Sequence, residues 1–208
     1  GSTLVSYGFE KDMTDLTKYY AFAGVRVNTL QVQMETRAMI RATLGVMGKG
    51  GTFAGSSFGD GTPDSATSNE PMVTLSTLTL QEAAADIACP TRFSFQTSND
   101  LRQKVCMGED DLSGINLGLF RVTGTLEAYF ESTTYVDKLV ADTATDFVIT
   151  SEDADGNSYT FTFPKVKFTT LRGPENSGRN RDVLQELGWT AFKDPSSEIT
   201  MRIERSAA

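Results

Sequence analysis

The chain has 208 residues, 39% of them hydrophobic, 10% aromatic and 22% charged, enough for one ordinary core or two small ones. A net charge of −8 and a sequence pI near 4.6 argue against a nucleic-acid ligand held through a basic patch. Histidine is absent, which removes Ser-His-Asp and Cys-His catalysis and His-ligated zinc, and no run approaches the ~18 apolar residues of a membrane-spanning helix.

The opening GSTLVSYGFE has neither an initiator Met nor a basic-plus-apolar leader, so no signal peptide is expected, and its Gly-Ser start, followed directly by strand-like sequence, is expected to be a cloning remnant on a trimmed chain. Twenty-seven threonines and 19 Phe and Tyr residues favour strands, where β-branched and aromatic side chains pack well. Val25 and Val27 share one parity, and Leu30, Val32 and Met34 the other, which predicts a bulge near Asn28 or Thr29. Ile40, Ala42, Leu44 and Val46 alternate again, so residues 25–47 are predicted as a hairpin with these side chains inward. Arg26, Gln31, Gln33, Arg41 and Thr43 would then face solvent or a neighbouring subunit.

Residues 48–71, GKGGTFAGSSFGDGTPDSATSNEP, are predicted as a long flexible or assembly loop. Their 24 residues exceed the about 12–15 usual inside a compact domain. Val73, Leu75, Phe93 and Phe95 mark short strands, separated by LQEAAADIACP, which could hold a helical turn or an irregular crossing. Residues 96–116 read as a long polar hairpin or connection. Cys89 and Cys106 are expected as two thiols, with one disulfide as the alternative.

LGLFRVTGTLEAYF, at 117–130, carries the strongest alternation. Val122, Leu126, Ala128 and Phe130 lie on one face with Gly124 as a gap or bulge, opposite Thr123, Thr125, Glu127 and Tyr129. Ser132-Thr133-Thr134 opens a short helix whose apolar face is Val136, Leu139 and Val140, with a hydroxyl capping its start. So short a helix must be held by packing. Phe147 and Ile149 begin the next strand, and Asp153-Ala154-Asp155-Gly156-Asn157 is a tight turn. The turn's glycine is fourth, not sixth, so the residues do not form an EF-hand. Tyr159, Phe161 and Phe163 alternate, and Val166 and Phe168 follow Pro164, which belongs at an edge or bulge. Residues 172–181 form another polar loop. Val183, Gln185, Leu187 and Trp189, then Ile199, Met201 and Ile203, complete the pattern. The fold predicted is mostly β, a β-sandwich or flattened barrel with one short flanking α-helix and long polar loops.

Catalysis finds little support. Glu109-Asp110-Asp111 offers three carboxylates, but glycoside chemistry needs two at a set separation across a cleft, and a solvated acidic tip is the simpler reading. GKGG at 48–51 lacks the GxxxxGK[ST] spacing of a phosphate loop. No enzyme activity, metal or cofactor is expected.

FEKDMTDLTKYYAFAGVRVNTLQVQM, at 9–34, resembles the tail tube (major tail) proteins of long-tailed bacteriophages through Phe9, Glu10-Lys11, Thr14-Asp15, Tyr19-Tyr20, Phe22, Gly24, Val27 and Asn28. GINLGLFRVTGTLEAYFE at 114–131 and DADGNSYTFTFPKVKFT at 153–169 follow in the family's order. The resemblance implies a single tail-tube β domain over 1–208, N-terminally trimmed, in a structural subunit of the virion tail. It further implies self-association into rings, usually hexameric, stacked into a tube that passes DNA without binding it. Other tail proteins would meet the tube ends, with assembly in the host cytoplasm and no membrane insertion. Glu109, Asp110 and Asp111 become lumen candidates, and Lys49, Phe53 and Phe58 assembly candidates. The alternatives are another virion β-sandwich (terminator, baseplate or decoration protein) or a carbohydrate-binding module presenting Tyr129 and Tyr159.

Overall fold

The computed structural model describes residues 5–59, 71–73, 78–175 and 182–207, apart from the side chains of Thr14, Pro174 and Glu175. It is 59% strand with one short helix. The elements begin with β1 (Tyr7–Met13), a 3-10 turn at Thr14–Leu16, β2 (Lys18–Glu35), β3 (Arg41–Met47) and β4 (Gly50–Ala54). Then come β5 (Thr79–Glu82), β6 (Ala85–Asp86), β7 (Pro90–Ser98), β8 (Arg102–Lys104), β9 (Gly114–Asn116) and β10 (Arg121–Tyr129). After α1 (Thr134–Val140) the chain ends with β11 (Thr145–Glu152), β12 (Ser158–Glu175), β13 (Leu184–Ala191) and β14 (Arg202–Ser206). Residues 60–70 of the predicted long loop, Leu75, and residues 176–181 of the second loop lie outside the described residues.

Two compact units emerge: residues 1–30, 43–66 and 98–120, and residues 31–42, 67–97 and 121–208. The second unit holds most of the core. Its sheet runs from the end of β2 through β7, β10, β13, β12, β11 and β5 to β6, with β14 added to β12. Phe93 on β7 and Phe147 on β11 have ring centroids 5.6 Å apart although three strands separate them in that order. The sheet therefore curls around its own inner face, as expected for a sandwich or flattened barrel. Val122, Leu126, Ala128, Phe147, Ile149, Phe163, Val166, Leu187 and Trp189 are almost wholly excluded from solvent there.

Local chemistry explains the irregular points. Phe147 pairs with Phe163 and Thr145 with Val166, so one residue of β11 faces two of β12, Pro164 and Lys165. Pro164 thus occupies a bulge, where its missing donor costs no ladder bond. The Asp153 turn is closed by its own carboxylate, which accepts the Asp155 and Asn157 amides at 3.0 and 2.8 Å. Gly156 supplies the positive φ of 88°.

Several predictions on the apolar pattern need correcting. LQEAAADIACP forms the β5–β6 hairpin, with Ala83 and Ala84 both at positive φ, 52° and 61°. That is the sign pattern of a type I′ turn, rarely built from alanine. A bulge in the β1–β2 register falls at Gly24 (φ 62°), where glycine tolerates the left-handed backbone; Val25, Val32 and Met34 are all buried, so the change of parity predicted between them is present further along β2. Ile203 on β14 is exposed, because that strand joins an outer edge of β12 with all five residues solvent-facing.

Helix α1 begins where expected, but no side chain caps it; the Thr133 hydroxyl donates instead to the Asp137 carboxylate at 3.0 Å. Its packed face is only half-buried, formed by Tyr135, Val136, Lys138 and Leu139. Val140 is exposed while Tyr135 packs edge-on against Phe168, centroids 5.7 Å apart. The cause is polar: Lys138 reaches Glu82, a nearly buried carboxylate that also accepts from the Thr145 hydroxyl. Burial, reinforced by Glu82, raises the Tyr135 phenol above its ordinary 10.0. Its contribution to stability is therefore intact below pH 10 and is lost as pH rises through the folded value. Lys138→Met strands the Glu82 charge, and urea unfolding should register a loss of about 2 kcal/mol. Adding Glu82→Met should restore most of it.

Candidate assembly surface

In the first unit, β1 and β4 pair with opposite edges of the beginning of β2. Direct register aligns Lys11, Tyr20 and Phe53, and beside them Phe9, Phe22 and Gly51. Because residues in one such row share a face, aromatic side chains gather on one side of the three strands. Tyr20 stacks on Phe53 with centroids 4.3 Å apart and planes within 5°, and Tyr20 meets Phe22 at 4.2 Å. Phe53 stays 66% exposed despite this stacking.

The predicted assembly residues fall into two sets. Lys49 sits between β3 and β4. Its amide donates to the Ala23 carbonyl at 3.0 Å, and its ammonium to the Ser113 carbonyl at 3.2 Å. Phe58 lies over Gly8, and its amide donates at 2.8 Å to Glu10, which also accepts from the Ser57 hydroxyl at 2.7 Å. Lys49, Phe58 and Asp111 line one groove of about 700 Å³ with Gly24 and Gly50. Residues 50–54, inside the stretch predicted as loop, are strand β4.

Glu109 and Asp110 are elsewhere, exposed in the connection between β8 and β9. This hairpin pairs Arg102 with Asn116 and Lys104 with Gly114. Its base is tied to β2: the Asn99 amide donates to the Asn28 carbonyl at 2.8 Å, the Leu101 amide to the Asn28 side chain at 3.0 Å, and Arg26 to the Ile115 carbonyl at 2.8 Å. Arg26, expected to face solvent or a neighbour, is thus committed within its own unit. Cys106 and Cys89 are free thiols. Among the described residues, no group of three or more Cys, Asp or Glu could hold a metal ion, and no helix is long and apolar enough to cross a membrane.

Burial separates this unit from the other. Its buried hydrophobic residues, among those described, are Val25, Leu101 and Ile115, whereas Leu16, Leu44, Val46, Phe53, Phe58, Val105, Met107 and Leu119 are exposed. Leu44 and Val46 correct the prediction that this face of β3 points inward. Alternation reveals that one face is apolar, but not whether the same chain covers it. Among the described residues, these side chains leave an apolar surface on the first unit that the chain itself does not cover.

No curated protein matches the chain. Residues 2–191 match the family described as phage tail tube protein, and the chain belongs to that family, a structural protein that self-assembles into the tube of the virion tail.

Proposed function

We propose that both units of the chain act as one tube subunit, that copies close into hexameric rings, and that stacked rings form the channel through which DNA leaves the virion. The carrying observation is the exposed apolar surface of the first unit, at Leu44, Val46, Phe53 and Phe58. A heterologous contact that closes by rotation produces a ring, and repetition along the axis a tube. Residues 48–71 and 96–116 supply contacts between subunits or rings. The net charge of −8 per chain suits a conduit, since anionic walls discourage phosphate adhesion.

Light scattering and negative-stain micrographs test this reading. The wild-type chain should yield rings or tubes of six-fold symmetry. Leu44→Asp with Phe53→Asp should leave the circular dichroism spectrum unchanged and weaken association by about 100-fold, on the scale of two lost apolar contacts. A monomeric wild type, or tubes indifferent to both substitutions, would sink it. A terminator would instead stop at single rings, and a carbohydrate-binding module would bind glycans while remaining monomeric. Neutralising Glu109, Asp110 and Asp111 together separates two roles: slowed DNA release from intact tubes assigns them to the lumen, and failed assembly assigns them to an interface.

A further inference from the structure

The tip of the β8–β9 hairpin is a turn from Cys106 to Glu109, closed by the Glu109 amide on the Cys106 carbonyl at 3.4 Å. Gly108, at φ 86°, supplies the backbone that the third position of a type II turn requires. This geometry pushes Met107 wholly into solvent, at 104% relative exposure, next to Val105 at 68%. Two apolar side chains projecting from a polar tip are costly in water unless they meet another surface. Methionine is suited to such a knob because its flexible thioether adapts to irregular cavities. Glu109 and Asp110 follow immediately, so the knob carries an acidic collar.

A matching socket lies in the same unit of the chain. Phe9, Phe22, Val25 and Val46 line an apolar cavity of about 460 Å³, with Lys11 and Glu10 also lining it. The Glu10 carboxylate is engaged by the Ser57 hydroxyl and the Phe58 amide, so Lys11 is the cation this socket offers a visitor. Met107 is fully exposed in its own chain and therefore does not fill its own socket.

We propose that the occupant is a second copy of this chain: Val105 and Met107 of one subunit enter the Phe9–Phe22–Val46 socket of the next, with Glu109 or Asp110 against Lys11. Knob and socket are different patches, so the contact is heterologous and propagates from copy to copy, as ring or tube growth needs. Charge complementarity sets the orientation of entry. This rests on the self-assembly reading above and assigns the acidic tip to an interface rather than to the lumen.

Two chains, both carrying Cys89→Ser and Cys106→Ser, test it: one with Met107→Cys, the other with Val46→Cys. Mixed, allowed to assemble and oxidised, they should give a cross-linked heterodimer about ten-fold above that formed when the second chain instead carries Val140→Cys, since only docked thiols gain effective concentration. Tubes that form without this excess would overturn the docking while leaving self-assembly standing. A mixture that stays monomeric would overturn both. As an independent check, Lys11→Glu should weaken assembly about ten-fold, and Glu109→Lys with Asp110→Lys in the same chain should restore it. Absence of restoration would overturn the charge pairing.

Discussion

Trp189→Ala should destabilise the protein by about 4 kcal/mol, the range of large aromatic truncations in a packed core. Trp189 is 1% exposed, and its ring lies 5.5 Å from Phe93, 5.5 Å from Phe147 and 5.1 Å from Phe163 between centroids. Those three rings come from β7, β11 and β12. One truncation therefore removes contacts to several parts of the curled sheet and leaves a cavity that no single side chain can fill. Chemical denaturation with tryptophan-independent detection, such as far-UV circular dichroism, would measure the loss. A change below about 1 kcal/mol would mean that the rings do not enclose a tight interior.

Gly124→Ala should cost about 3 kcal/mol, although it adds only one methyl group. A Cβ at Gly124 would stand 2.3 Å from the Ser94 carbonyl oxygen and 2.3 Å from the Trp189 ring. Gly124 pairs with Trp189 across β10 and β13, so the missing side chain is the space into which the indole lies. The Ser94 oxygen belongs to the neighbouring strand's backbone and cannot rotate away. Shrinking the ring with Trp189→Phe should therefore relieve only part of the added cost. A double-mutant cycle with a coupling near zero would show that the ring and the glycine do not share that space.

The contrast between the two units bears on function. Where the second unit spends its apolar residues on an interior, the first leaves them outside. A subunit that must meet copies of itself needs this division, because a core stabilises the fold only when it is covered within the chain, whereas an assembly surface must remain available. Leu44 and Val46 follow the same period-two alternation as Phe161 and Phe163, yet Leu44 and Val46 are exposed, while Phe161 and Phe163 are buried.

Local rules settled much of this protein. Period-two spacing located the strands around Phe93, Val122, Phe147, Phe161 and Trp189, since a pleated strand turns alternate side chains to one face. The Asp153–Asn157 turn, the helix after Thr133 and the bulge at Pro164 also follow from the chemistry of a few adjacent residues. The tail tube resemblance arose from the order of its blocks. Other features were illegible because they depend on partners distant in the chain. Ala83 and Ala84 adopt positive φ within a hairpin packed into its sheet, against alanine's own preference. Lys138 turns α1 toward Glu82, fifty-six residues earlier. Exposure of Leu44, Val46 and Met107 was decided only by which strands cover which faces, a property of the folded chain that alternation alone does not contain.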